Sequence, residues 1–228
     1  IHLEERSVDV QEVQSEKVQE QPWMLFETKG EEFDYNKYAE LTESEKVVAI
    51  GEVGLDYYHQ PKSKEKRREY RDTQKKVLRE QLQFALDKDL PAILHCRVAF
   101  GDMIELLREV QKETGGKLRG VMHSYTGDVE QAKELAELGF YFGFNGLIFK
   151  EVDTLPDPAK VISSIPLEKT LLETDSPYLV PPQAGKERNE PMFVKYVAER
   201  IAEIKRVDIG EIEETTSKNA KILFGLPE

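Results

Sequence analysis

The sequence predicts an α/β fold with a parallel sheet, of the (β/α)8 barrel type. Short apolar runs typical of buried strands alternate along the chain with segments whose apolar residues recur at helical spacing. Strands separated by helices pair in parallel through right-handed crossovers. Five strand-like runs begin near residues 47, 91, 118, 140 and 170. A closed barrel needs eight strands and about 250 residues, so three strands remain to be found.

Helices are predicted between and after these strands. The longest is charged and amphipathic and spans about 65–90. Four later helices are expected to begin at residues that cap a first turn, namely Asp102, Asp128, Asn189 with Pro191, and Asp208. Three of them are expected to end at glycines, near Gly115, Gly139 and Gly225.

Metal-ligating residue types follow four of the predicted strands, at Glu52, His95, His123 and Asp175. In a parallel barrel the C-terminal ends of the strands form the face where active sites are built. A single histidine or carboxylate after a strand is more often a structural group than a functional one. The chain has only four histidines, however, and packing alone does not explain two of them at strand ends. Two carboxylates with two imidazoles are a ligand set for a divalent metal that acts on water.

The composition limits the class of protein. The formal net charge of −12 repels a polyanion, so nonspecific nucleic-acid binding through a basic surface is not expected. Cys96 is the only cysteine, which excludes intrachain disulfides and makes a reducing, cytoplasmic setting the expectation. No apolar run approaches the roughly 20 residues that span a bilayer, so no membrane association is predicted.

Four segments together resemble the TatD-type metal-dependent deoxyribonucleases, a family of the amidohydrolase-like barrels. The resemblance runs from about Pro22 to Leu226. It is carried by the following strings: Val-Val-Ala-Ile-Gly-Glu-Val-Gly-Leu-Asp-Tyr-Tyr at 47–58, His-Cys-Arg at 95–97, His-Ser-Tyr-Thr-Gly-Asp at 123–128, Glu-Thr-Asp-Ser-Pro-Tyr-Leu at 173–179 and Arg-Asn-Glu-Pro at 188–191.

The resemblance implies a site for two divalent metal ions, Mg, Mn or Zn. Glu52 would bridge the ions, and His95 and His123 would hold the second one. Asp175 and a His-x-His pair near the N-terminus would hold the first, and only the segment 1–4 matches that pair, with His2 as its second histidine. Asp175 and Glu52 are therefore expected to be catalytic, with Asp175 as the general base that accepts a proton from water.

Alternation along the strand distinguishes the neighbours of His95. Arg97 lies two residues further on and points to the same side, so it is a candidate substrate-binding residue that clamps a phosphate. The alternative is a structural ion pair between Arg97 and a nearby carboxylate. Cys96 points to the opposite side of the strand, which is expected to pack in the core and to favour a small apolar residue. Cys96 is therefore not predicted to be a nucleophile.

The N-terminal region departs from the family pattern. Residues 1–228 are predicted to form a single metal-dependent hydrolase barrel domain, but segment 1–21 is atypical, and its part 8–21 resembles a polar helix more than a strand. The stretch between Glu5 and Pro22 is too short for a helix and two strands. Either segments of the barrel are absent from this sequence, or the chain is a shortened relative with an open barrel and a damaged first metal site.

Three functions are compatible with these residues. The first is a deoxyribonuclease that hydrolyses phosphodiester bonds as an exonuclease, with DNA ends or single strands as substrate. The second uses the same site on another bond, as an amidohydrolase, lactonase or phosphotriesterase does, since a fold does not fix its substrate. The third is a barrel remnant that serves as a binding module. The resemblance favours the first.

Overall fold

A computed structural model describes residues 32–227 of the chain. Its five strands form one parallel sheet in which each strand pairs with the next one along the sequence. This uninterrupted order is that of a barrel wall, whereas a doubly wound sheet reverses its order at a switch point. The strands are β1 (Ile50–Asp56), β2 (Ala92–Arg97), β3 (Gly120–Met122), β4 (Tyr141–Phe144) and β5 (Thr170–Leu172).

The helices follow the strands closely. The α-helices are α1 (Tyr35–Leu41), α2 (Lys64–Asp87), α3 (Phe100–Thr114), α4 (Val129–Glu137), α5 (Pro158–Ser164), α6 (Val194–Lys205) and α7 (Ile209–Phe224). The short 3-10 turns are Gly146–Phe149, Leu167–Lys169, Pro182–Ala184 and Pro191–Phe193. The sequence did not predict α1 and α5, which are only seven residues long.

Most of the predicted helix ends are confirmed. Asp128 caps α4 with a complete capping box, and the side chain of Asp208 accepts a hydrogen bond from the first turn of α7. Gly115 ends α3 and Gly225 ends α7, both in the left-handed conformation. The prediction that Asp102 caps α3 is wrong, because the helix already begins at residue 100.

One face of the sheet packs on the helices. Leu94, Met122 and Phe142 on this face are almost completely buried, and together with the apolar stripes of the helices they form the main core. Successive residues of a strand point to opposite faces of the sheet. The residues next to Leu94, Met122 and Phe142 in the sequence therefore point to the other face. That other side is called the site face below.

The site face is built in two layers. The lower layer is apolar, and its Val121 and Leu171 form a small cluster with Leu223 of α7. Two residues further along the same strands lie His123 and Glu173, so alternation places both of these polar groups in the layer above the apolar one. Layered side chains of this kind fill the interior of (β/α)8 barrels. The polar layer thus lies on a buried apolar layer.

The first strand differs from its prediction. The sequence placed a strand at 47–50 that ends just before Glu52, whereas β1 runs from 50 to 56 and contains Glu52. His95 likewise lies inside β2, which continues to Arg97. The prediction that all four ligand candidates follow the ends of strands is therefore wrong for Glu52 and His95. It holds for His123, which directly follows β3, and for Asp175, which follows β5.

The cause of this difference is the pairing between β1 and β2. Gly54 pairs with His95, and the strands approach so closely that a Cβ on Gly54 would overlap the backbone of His95. Two glycines and two acidic residues make the segment 51–56 resemble a loop in sequence, but here the glycine allows the strands to pair closely.

Some predictions lie outside the described residues. These are the ligand role of His2, the match of segment 1–4 to the His-x-His pair and the polar helical segment before Pro22. Across residues 32–227 the helices are too short or too polar to cross a membrane.

Candidate metal centre

His123 lies between two carboxylates. Its Nδ1 is 2.9 Å from Oε2 of Glu173, and its Nε2 is 3.6 Å from Oδ1 of Asp175. The first distance is that of a charge-assisted hydrogen bond, and the second is a looser ion pair. A histidine that ligates a metal through one ring nitrogen characteristically donates the other to a carboxylate, which fixes the ring. Glu173 occupies that second position, and the Nε2 edge of the ring faces Asp175.

Glu173 is fixed by two groups besides His123. Its Oε1 accepts a hydrogen bond from the backbone N–H of Ser124 at 2.5 Å and lies 3.4 Å from Nδ2 of Asn145. Nδ2 of Asn145, which is buried, also donates to Oγ of Ser124 at 2.9 Å. The space for the carboxylate comes from Gly143 in β4, because a Cβ there would overlap it. A glycine in an otherwise aromatic strand thus makes room for the partner of His123.

His95 forms the equivalent pair on β2. Its Nδ1 is 2.8 Å from Oε1 of Glu52, and its Nε2 is 3.5 Å from Oδ2 of Asp56. Leu94 pairs with Met122, and the backbone N–H of His123 donates to the carbonyl of Leu94, so His95 and His123 lie side by side. The four predicted ligands are therefore brought together as two neighbouring pairs.

Arg97 forms an ion pair with Asp56. A structural ion pair was the predicted alternative to a phosphate-binding role for Arg97. Its Nε lies 3.1 Å from both oxygens of Asp56, and one Nη lies 2.6 Å from Oδ2. The guanidinium also stacks on the ring of Tyr58, 4.7 Å from its centroid. Asp56 thus links Arg97 to His95, which confirms that the two basic side chains share one side of β2.

Cys96 is buried on the opposite side, as alternation predicts. Its burial raises the pKa of the thiol to about 12, far above the range in which a thiolate acts as a nucleophile.

The carboxylates keep both imidazoles protonated. Burial lowers the pKa of His95, but hydrogen bonds and charge from Asp56 and Glu52 outweigh it and raise the pKa to about 9. For His123 the opposing effect of burial is overcome by Asp175 and Glu173, with a contribution from the charge of Glu52, and the pKa rises to about 10. The influence of Glu52 on His123 reflects how close the two pairs lie.

The donor types fit a divalent cation. Imidazole nitrogen and carboxylate oxygen suit Zn and Mn, and carboxylate oxygen suits Mg. The hydrogen bond between His123 and Glu173 is of the kind that a metal-ligating histidine makes through its other ring nitrogen. Within residues 32–227, no group of three or more His, Cys, Asp or Glu side chains is arranged to hold an ion by itself. Each imidazole instead contacts two carboxylates. His2, the remaining predicted ligand, lies outside residues 32–227.

Left-handed backbone marks the loops that follow the site strands. Val98, Ser124 and Asp175 have φ values of 59°, 47° and 57°, which is unusual for residues other than glycine and most unusual for a β-branched one. Such conformations concentrate at functional sites. At Ser124 the conformation accompanies the hydrogen bond from its N–H to Glu173.

Three residues of the site were not assigned by sequence reasoning. They are Glu173, Asn145 and Asp56. Glu173 follows Leu171 by two residues, so extending the alternation of β5 places it on the same side as its apolar neighbour. The pairing of Asp56 with Arg97 requires the register of β1 against β2.

The raised imidazole pKa values give a prediction for the metal-free protein. Both lie above the ordinary value of about 6.5, so the ion pairs contribute stability that is fully present below about pH 6.5. This contribution is lost as the pH rises through 9 to 10. We expect the Tm in chelator to fall between about pH 7 and about pH 10, and to fall less in a double variant, His95→Gln with His123→Gln. Equal losses in both proteins would contradict this origin.

Comparison with known proteins agrees with the geometry. A family model described as TatD related DNase matches residues 15–225. The uncharacterized metal-dependent hydrolase YabD of Bacillus subtilis is 44% identical over 186 residues, which are 81% of this chain and 68% of YabD. The 3'-5' ssDNA/RNA exonuclease TatD of Escherichia coli is 34% identical over 191 residues, which are 82% of this chain and 69% of that protein.

Solved structures show the same fold. The crystal structure of YjjV, a TatD homologue from Escherichia coli, superposes with a TM-score of 0.72 at 28% identity and covers 85% of this chain and 70% of YjjV. A hydrolase of the TatD family from Entamoeba histolytica gives a TM-score of 0.67 at 25% identity, over 84% of this chain and 68% of its own. The predicted barrel class is confirmed, with the five described strands as part of the barrel. The chain belongs to the TatD-related DNase family and is a metal-dependent hydrolase.

Proposed function

We propose that this protein is a metal-dependent deoxyribonuclease that hydrolyses phosphodiester bonds at the ends of DNA strands. The observation that carries the proposal is the pair of imidazole–carboxylate contacts on adjacent strands, His95 with Glu52 and His123 with Asp175. A relative of 34% identity is named a 3'-5' ssDNA/RNA exonuclease, which supports a nucleic-acid substrate.

Two divalent ions, Mg, Mn or Zn, are proposed for the site. Glu52, His95, His123 and Asp175 would hold them, with His2 as the further ligand that the resemblance implies. Such ions supply positive charge to a phosphate and lower the pKa of water toward neutrality. The net charge of −12 gives no long-range attraction for DNA, so positive charge at the site itself has to bind the substrate.

Asp175 is proposed as the group that accepts the proton of the attacking water. Its side chain is about one third exposed, and Oδ1 faces the imidazole of His123. Its backbone carbonyl accepts a hydrogen bond from the N–H of Tyr178, which fixes the loop after β5. A carboxylate in this position is accessible to water while its orientation is set by the protein, as general-base catalysis requires.

Arg97 is proposed to contact a phosphate of the substrate while it remains bound to Asp56. Nε and one Nη bind the carboxylate, and the second Nη makes no hydrogen bond within residues 32–227. The side chain is about half exposed. A guanidinium held rigid on one edge loses little conformational entropy when its other edge binds an anion.

Removal of metal tests the proposed function. We expect the purified protein to shorten single-stranded DNA, to lose this activity in excess chelator, and to regain it when Mg, Mn or Zn is added. The reason is that the charge at the phosphate and the activation of water both come from the ions. A gel assay on end-labelled oligonucleotides measures the products. Hydrolysis that persists in excess chelator would refute the proposal.

A further inference from the structure

A cavity of about 380 Å³ opens beside the metal centre, between the loop after β3 and the segment that connects β4 to α5. The two features share residues. Ser124 and Asn145 line the cavity, and both also bind Glu173, the partner of His123. A group bound in the cavity therefore lies one side chain away from the candidate ligands. Its volume is at the small end of the range for ligand pockets, which suits one ring system and excludes a duplex.

The walls of the cavity are apolar and partly aromatic. Tyr125, Phe144 and Ile148 line it and are buried, whereas its lining residues Val152 and Leu155 are exposed and therefore mark its mouth. Flat aromatic ligands bind such walls by stacking and by burial of apolar surface, and stacking on a side-chain ring is tolerant of which base is bound.

Two hydroxyls add polar contacts that do not select one base. Oγ of Ser124 accepts a hydrogen bond from Asn145, and no group in the described part of the chain accepts its hydrogen. The hydroxyl of Thr126 makes no hydrogen bond within residues 32–227. A hydroxyl rotates to donate or to accept, so it pairs with the edge of any heterocycle. An exonuclease that degrades arbitrary sequences needs this tolerance.

The charges at the mouth exclude a phosphate. Three carboxylates, those of Glu151, Asp153 and Asp157, line the cavity together with the ammonium group of Lys150, and the ammonium group of Lys160 lies 4.0 Å from Asp157. The surplus of negative charge repels an anionic group inside the cavity, whereas the proposed phosphate contacts lie at the metal centre. The cavity is thus suited to an uncharged heterocycle whose phosphodiester stays outside it.

We propose that this cavity receives the nucleobase of the terminal nucleotide of the substrate strand. The inference rests on the proposed nuclease function and extends it to recognition of the end. One base in the cavity places the adjoining phosphodiester at the metal centre. A phosphate on the terminal nucleotide is carried toward the acidic mouth, so a strand that ends in a hydroxyl is the better substrate.

Leu155→Trp is the test variant, because Leu155 is 36% exposed and a larger side chain there fills the mouth without disturbing the core. Ile222→Trp is the matched control, since Ile222 lies exposed on α7 and does not line the cavity. Hydrolysis is compared for two single-stranded oligonucleotides that differ only in whether the terminal nucleotide carries a base. A third oligonucleotide carries a terminal phosphate.

The wild-type protein and Ile222→Trp are expected to prefer the strand with a terminal base by about tenfold in kcat/KM, which is the size of one stacking contact. Leu155→Trp is expected to lose this preference, so that it cuts the base-bearing strand no faster than the abasic strand. The terminal phosphate should slow the wild type, and Asp153→Asn should recover part of the loss.

Binding of 2-aminopurine deoxyriboside gives a readout that does not depend on activity. Its fluorescence should change saturably with wild-type protein and Ile222→Trp but not with Leu155→Trp. Equal cleavage of the base-bearing and abasic strands by the wild type would overturn the inference and leave the nuclease function standing. If no strand is cut, the proposed nuclease function fails. The fluorescence titration with 2-aminopurine deoxyriboside then tests the base-binding cavity by itself, and a lack of saturable binding overturns the inference.

Discussion

Asp175→Asn is expected to lower the rate of DNA hydrolysis by about 10²–10⁴-fold, the range typical for loss of a general base. The substitution keeps the shape of the side chain and removes its charge and basicity. Folding should survive, because Asn tolerates the left-handed conformation of this residue, φ 57°, as well as Asp does. The rate is measured in single turnover on end-labelled single-stranded DNA with metal in excess.

The control for this prediction is Asp72→Asn. Asp72 is exposed on α2, and among residues 32–227 its one ion pair is a loose contact with Lys75 at 3.8 Å, so loss of its charge should leave both rate and stability unchanged. A rate for Asp175→Asn within a few fold of wild type would remove Asp175 from the mechanism. A large loss in both variants would instead indicate a general effect of charge on DNA binding.

The alternation of strands and helices was predictable because it depends on local apolar patterns. So were the helix ends at Asp128, Gly115 and Gly225, since capping side chains and left-handed glycines act within a few residues. The placement of His123 and Asp175 at one end of the sheet follows from parallel pairing. For these features, local sequence and the rules of parallel sheets contain the necessary information.

The register of β1 was not predictable in this way. Glu52 lies inside the strand because Gly54 lets β1 approach β2 closely, a tertiary effect that turn statistics for glycine do not contain. The same holds for Arg97. Its position on the side of His95 followed from alternation, but its ion pair with Asp56 depends on how the two strands are aligned.

Glu173 shows that candidate metal ligands are easier to find in the sequence than the residues that hold those ligands in place. The family resemblance drew attention to Asp175, whereas the role of Glu173 emerges only from the contacts of its two oxygens. The role of Gly143 was likewise not predictable from the sequence. A glycine weakens the strand propensity of Tyr-Phe-Gly-Phe, and only the structure shows that it leaves space for the carboxylate of Glu173.

Glu173→Gln is expected to reduce the affinity for metal by about 10–100-fold, the usual cost of removing an outer contact of a metal-bound histidine. The carboxylate fixes the ring of His123 through Nδ1 at 2.9 Å and increases the basicity of Nε2. The amide has nearly the same shape but lacks the charge. Competition with a metal-sensitive dye measures the affinity of the folded protein, independently of any nuclease activity.

Gly143→Ala provides an independent route to the same loss. The new Cβ would overlap the carboxylate of Glu173 and push it away from His123, while every ligating side chain is retained. Gly101→Ala is the matched control, because a Cβ at Gly101 in α3 meets no atom within 4 Å and alanine favours a helix. We expect weakened metal binding in Gly143→Ala and Glu173→Gln but not in Gly101→Ala. Wild-type affinity in both site variants would show that Glu173 does not support the metal centre, because the two changes disturb its contact with His123 in unrelated ways.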